Sequence, residues 1–156
     1  MDPAAHPLVG APVPGFSLQN QFGETVSSAD LGSGRHFLVF YPFAFSRVCT
    51  AELAALERLR PTLDQAGVHV HAVSVDHKYA LRAYADEQGL GFDLLADFWP
   101  HGATARAFGC FDQEQGRALR STFLLVDGQV VHHFSSDVGQ ARNEQDYLDA
   151  VNLPRN

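Results

Sequence analysis

The 156-residue sequence predicts one α/β domain spanning residues 1–156, with a central sheet flanked by helices, and three features carry that prediction. Two nearly continuous apolar runs, 36–41 and 68–75, suit strands buried on both faces. Each is followed by apolar residues at intervals of three and four, the spacing of one helix face. Further along, strands 121–126 and 129–134 meet at Asp127-Gly128, a dipeptide that tolerates the positive φ angles of a type I′ hairpin.

Taken in order, the chain opens with Pro3, Pro7, Pro12 and Pro14, which fix φ and remove donors, so the segment through Gly15 is an extended, non-helical lead-in. Residues 16–19 and 25–27 flank Phe22-Gly23 and form a short hairpin. After strand 36–41, Leu53, Leu56, Leu59 and Leu63 line a long helix that Pro61 should kink or end. Strand 68–75 leads into a helix at 80–88 with Leu81, Tyr84 and Ala85 facing inward. This β-α-β-α alternation predicts a largely parallel sheet. A short strand at Leu94-Leu95, a short helix over 103–108, the hairpin and a terminal helix over 143–151 complete the chain.

Eleven basic against eighteen acidic residues give a net charge of −7, which repels phosphate backbones and disfavours nucleic acid as a partner. No apolar run approaches the roughly 18 residues that span a bilayer, so no membrane association is expected and a soluble, cytoplasmic protein is. The two cysteines, Cys49 and Cys110, are too few for a disulfide scaffold and lack the Cys-x-x-Cys spacing of a structural zinc site. The eight histidines do not compensate, because His69 and His71 sit at strand spacing and His132 and His133 face opposite ways along any strand. No metal or cofactor is expected.

Cys49 follows a buried strand at the start of the long helix, where Ser46 is placed to be the N-cap. It then lies in the first helical turn, where unpaired backbone N–H groups and the positive end of the helix dipole favour a thiolate. The alternative is an inert core cysteine. Around it, Pro42-Phe43-Ala44-Phe45-Ser46-Arg47-Val48-Cys49 reads P-x-x-x-S-x-x-C, which resembles the active-site signature of the peroxiredoxins, with Ser46 where Thr is the other accepted residue. A second string, Arg120-Ser121-Thr122-Phe123-Leu124-Leu125-Val126-Asp127, resembles the R-x-T-F-x-x-x-D strand of the same family. The lead-in at 9–16 looks like the family's V-G-x-x-A-P-x-F opening, so the resemblance covers nearly the whole chain. Phe40-Tyr41-Pro42-Phe43-Ala44-Phe45 and Asp97-Phe98-Trp99-Pro100-His101-Gly102 look like the one-cysteine AhpE subgroup of actinobacteria. Trp99 and Pro100 are read as packing residues.

The resemblance implies a thioredoxin-like fold with a mixed central sheet and the activity of a thiol-dependent peroxidase. Cys49 would attack hydrogen peroxide or an organic hydroperoxide and become a sulfenic acid. Ser46 and the Cys49 backbone N–H would orient the peroxide oxygens, Arg120 would stabilise the thiolate and the leaving oxygen, and Pro42 would keep the pocket dry. Phe43 and Phe45 would add apolar surface for organic hydroperoxides. Glu52, one turn after Cys49, would order Arg47 or relay a proton, or be a solvated carboxylate; Arg47 would hold the thiolate or face solvent. Resolving cysteines of related enzymes stand five residues after the first, where this chain has Ala54, or in a C-terminal tail that is cysteine-free here. Cys110 matches neither position and is explained as a small buried hydrophobe, so an external thiol (mycoredoxin, a thioredoxin or a low-molecular-weight thiol) would complete the cycle. A homodimer or higher homo-oligomer is implied, with Phe45 or Trp99 near the interface. Other readings are a peroxide sensor, a thiol-disulfide oxidoreductase, which would need Cys-x-x-Cys, and a two-cysteine peroxidase using Cys110.

Overall fold

The computed structural model describes residues 6–152, so the first five residues of the lead-in lie outside it. Strands β1 (Ser17–Gln19) and β2 (Thr25–Ser27) precede β3 (Arg35–Phe40), helix α1 (Arg47–Gln65), β4 (Val68–Ser74), α2 (Lys78–Gln88) and β5 (Asp93–Ala96). There follow α3 (Ala103–Ala107), β6 (Phe111–Asp112), β7 (Arg117–Ala118), β8 (Ser121–Val126), β9 (Gln129–Ser135) and α4 (Glu144–Val151). Seven strands form one sheet in the order β2-β1-β5-β4-β3-β8-β9, and β6 and β7 pair separately.

This is the mixed, thioredoxin-like sheet that the family resemblance implies. The simpler expectation of a largely parallel sheet is corrected: only β3–β4 and β4–β5, the pairs joined by helical crossovers, are parallel. The hairpins β1–β2 and β8–β9 extend the two sides with antiparallel pairs. At the second hairpin Asp127 and Gly128 take φ 48° and 82°, as a type I′ turn requires. The two-residue strands β6 and β7 are too short to show a period and escape sequence reasoning.

Both faces of the sheet are covered. Alternate residues of β3 point to opposite sides: Phe37 and Val39 pack with Leu53, Leu56, Leu63, Tyr84 and Tyr147 under the long helices, in the cluster that holds Cys49. Leu38 and Phe40 pack with Phe108, Phe123, Leu125 and Val130 on the other side, in the cluster that holds Cys110. Lead-in residues Leu8, Val13 and Phe16 cover this second cluster, tied down by Gly10 N–H to Val130 O (2.7 Å) and Val13 N–H to Gly128 O (3.0 Å).

Pro61 does not end α1, which continues to Gln65. The proline lies on the exposed side, where water can supply the bond its missing N–H cannot. Trp99 and Pro100 are also corrected, since both are exposed and Trp99 keeps 80% of its surface. No helix among the described residues is long and apolar enough to cross a membrane.

Candidate active site

The chain leaves β3 and turns through residues 42–46 before α1 begins at Arg47. Ser46 occupies the N-cap position with extended backbone (φ −71°, ψ 149°), and its carbonyl accepts from Thr50 N–H at 2.9 Å. Its hydroxyl does not cap the helix as expected; it donates to Phe43 O at 3.2 Å. The first-turn amides are therefore left without a side-chain cap, open to an anion. Cys49 is the third residue of α1 and is fully buried.

At the start of α1 lies a hollow of about 200 Å³, walled on that side by Pro42, Phe43, Ser46, Arg47 and Val48. Arg117, Arg120 and Val138 close the other side. Residues 42 and 120, distant in sequence, thus meet at one helix start. Phe45 is not part of this wall: it keeps 52% of its surface and lays its ring 4.9 Å from that of Tyr84. Arg47 stands exposed on the rim.

Arg120 is 2% exposed and held at two points, with Nε donating to Val138 O at 2.7 Å and Nη1 to Glu52 Oε1 at 2.8 Å. Neither solvation of Glu52 nor a contact with Arg47 is found. Instead the buried Glu52 carboxylate also accepts from Arg142 Nη2 (2.8 Å), Arg142 Nε (3.0 Å) and the Arg142 backbone N–H. Arg142 Nη1 reaches Thr122 Oγ1 at 3.1 Å. Burial pushes the Glu52 carboxyl up, but the bonds and charge of Arg142, with the charge of Arg120, outweigh it and hold the group below the usual carboxylate range. Two guanidinium cations around one carboxylate leave a net positive charge one helical turn from Cys49.

Arg142 was missed from sequence because the stretch between β9 and α4 has no period or motif. Cys110 is buried on the opposite face of the sheet, and burial pushes its thiol far up. Both cysteines are free. Of the histidines weighed in the sequence, His71 joins a hydrogen-bonded chain at the far end of the sheet, His36 Nδ1 to His71 Nε2 and His71 Nδ1 to Asp93 Oδ2, each at 3.1 Å.

A mixed sheet with a buried cysteine in the first turn of a helix, whose start lines a hollow together with a serine and an arginine, fits a thiol-dependent peroxidase, and comparison with known proteins agrees. The chain belongs to the AhpC/TSA family, which residues 9–134 match. It is 34% identical over 146 residues to alkyl hydroperoxide reductase E of Mycobacterium tuberculosis, spanning 92% of this chain and 95% of that protein. Peroxiredoxin Bcp of Escherichia coli is 32% identical over 128 residues, 78% of this chain and 81% of its own length. The crystal structure of Enterococcus faecalis AhpC superposes with a TM-score of 0.86 at 28% identity, covering 92% of this chain and 90% of that one. The protein is a thiol-dependent peroxidase of the peroxiredoxin family.

Proposed function

We propose that Cys49 reduces hydrogen peroxide and organic hydroperoxides in a one-cysteine cycle completed by an external thiol. The observation that carries this reading is the position of Cys49, buried in the first turn of α1 next to residues 46–48, which line a hollow with Pro42 and Arg120. The thiolate attacks the nearer peroxide oxygen in line with the O–O bond; the S–O bond forms, the O–O bond breaks, and the leaving oxygen departs as an alkoxide or hydroxide that takes up a proton. Ser46 donates to Phe43 O, which leaves its oxygen lone pairs to accept the peroxide O–H. Arg120 Nη2, without a partner among the described residues, and the first-turn amides meet the charge that spreads to the leaving oxygen. Pro42 is buried and has no N–H to attract water.

An incoming thiol then displaces water from the sulfenic acid to give a mixed disulfide, and a second thiol releases the Cys49 thiol and leaves as disulfide. The sheet between the two cysteines supports an external thiol over Cys110 as the resolving group. A cycle that consumes reduced thiol fits a cytoplasmic setting. A homodimer or higher homo-oligomer belongs to the same reading: Phe45, Phe98 and Trp99, 52%, 45% and 80% exposed, stand on loops after the parallel strands β3 and β5, at the sheet end that holds the hollow.

The test is steady-state consumption of hydrogen peroxide with dithiothreitol as reductant. Wild type and Cys110→Ala are expected to turn over many times and Cys49→Ser not at all. A wild type that oxidises once and stops would be a sensor and contradict the proposal.

A further inference from the structure

The loop that presents Ser46 is held in shape from outside. Phe45 has φ 70°, a left-handed conformation that a bulky side chain rarely adopts, so neighbours must hold it there. One is the Tyr84 ring, 4.9 Å from that of Phe45. The other is Asp76, just beyond the end of β4, whose Oδ2 accepts from Ala44 N–H at 2.8 Å. Ser74 Oγ donates to the same oxygen at 2.7 Å and fixes the carboxylate's aim. Asp76 makes no ion pair among the described residues, so its visible work is to hold the backbone immediately before Phe45 and Ser46.

We propose that Asp76 is a positioning residue for peroxide reduction: through the Ala44 N–H it sets the geometry of loop 42–46, and with it the placement of Ser46 beside the Cys49 thiol. The inference rests on the assignment of Cys49 and Ser46 above. Misplacing a group that orients substrate by an ångström slows a reaction by up to about a hundredfold, with no change in the chemistry. A purely electrostatic role has the opposite sign. Removing a negative charge near the site would favour the thiolate, speeding oxidation and moving its pH midpoint down.

Reduced wild type, Asp76→Ala, Asp76→Asn and Cys49→Ser are each mixed with one equivalent of hydrogen peroxide, quenched rapidly and weighed intact across a range of pH, with melting temperatures taken in parallel. Asp76→Ala is expected to oxidise about tenfold more slowly or worse, with its pH midpoint unmoved. Asp76→Asn is expected within about threefold of wild type, since its amide oxygen can accept the same two bonds and its NH₂ can face the half-exposed side. Asp76→Ala at or above the wild-type rate, or Asp76→Asn as slow as Asp76→Ala, overturns the proposal. Should Asp76→Ala not fold, Asp76→Ser takes its place, being polar but one bond too short for Ala44, with the same two outcomes. Failure of the Cys49 assignment reads differently: wild type shows no fast oxidation, or Cys49→Ser retains it.

Discussion

Glu52 and Arg120 stand 68 residues apart in sequence and meet at 2.8 Å, with side chains 3% and 2% exposed. Arg142 completes the group, its Nη2 sharing the same Oε1 at 2.8 Å while its Nε donates to Oε2 at 3.0 Å. Desolvating an ion pair costs about as much as its attraction returns, so the arrangement is weak evidence of stability and stronger evidence that Arg120 is held in one place.

Glu52→Gln leaves two buried guanidinium groups facing a neutral amide. Removing one partner of a buried pair costs about 3–5 kcal/mol, so the melting temperature should fall sharply. Peroxide oxidation of the folded fraction should slow by about tenfold as Arg120 loses its aim. Calorimetry and stopped-flow on the same sample check the two effects, and an unchanged rate would separate Glu52 from the chemistry.

Cys110 should be a bystander. Its thiol is buried and pushed far up, so little thiolate exists to react. Cys110→Ala is expected to oxidise within about twofold of wild type, whereas Cys110→Ser, which buries a hydroxyl, should cost about 1–3 kcal/mol of stability. Denaturant melts and oxidation rates of both variants decide it.

Acid should destabilise the fold in steps. Burial, then the charges of His6, His132 and Arg142, push His133 down to about 4, and burial lowers His36 and His6 as well. A depressed folded value means the unfolded chain takes up the proton first, so this stability is present above about pH 6.5 and is lost as pH falls toward 4. Asp93 and Glu52, both held below the carboxylate range, add their loss below that. Melting temperature should fall between pH 7 and 4, and His133→Gln should flatten the slope; a flat profile in wild type would contradict it.

Gly102 should not tolerate a side chain. It is the N-cap residue of α3 with φ 72°, and a Cβ there would come 2.2 Å from the Phe111 ring. Gly102→Ala is expected to cost about 2–4 kcal/mol through left-handed strain plus overpacking, read by denaturant melt.

The site's contributors differed in how visible they were. Pro42, Ser46 and Cys49 lie within eight residues and Arg120 opens a strand, so each sits in a local string with a chemical pattern. Glu52 shows in sequence only as a charge on a helix, because what makes it matter arrives from 68 and 90 residues away. Asp76 and Arg142 make their bonds from loops, where no periodicity marks a residue. The same limit applies to the fold: the runs in β3 and β4 and the leucines of α1 announce themselves, while strand direction depends on which elements become neighbours, so of the four antiparallel pairs of the main sheet only the two hairpins are legible in sequence.

Whether Cys49 alone carries the oxidation is read from intact mass after one equivalent of hydrogen peroxide, without added thiol. Rapid gain of one oxygen is expected, trapped by a sulfenic-acid reagent at Cys49, the same in Cys110→Ala and absent in Cys49→Ser. Loss of two hydrogens with a Cys49–Cys110 disulfide, or oxidation that survives Cys49→Ser, would contradict it.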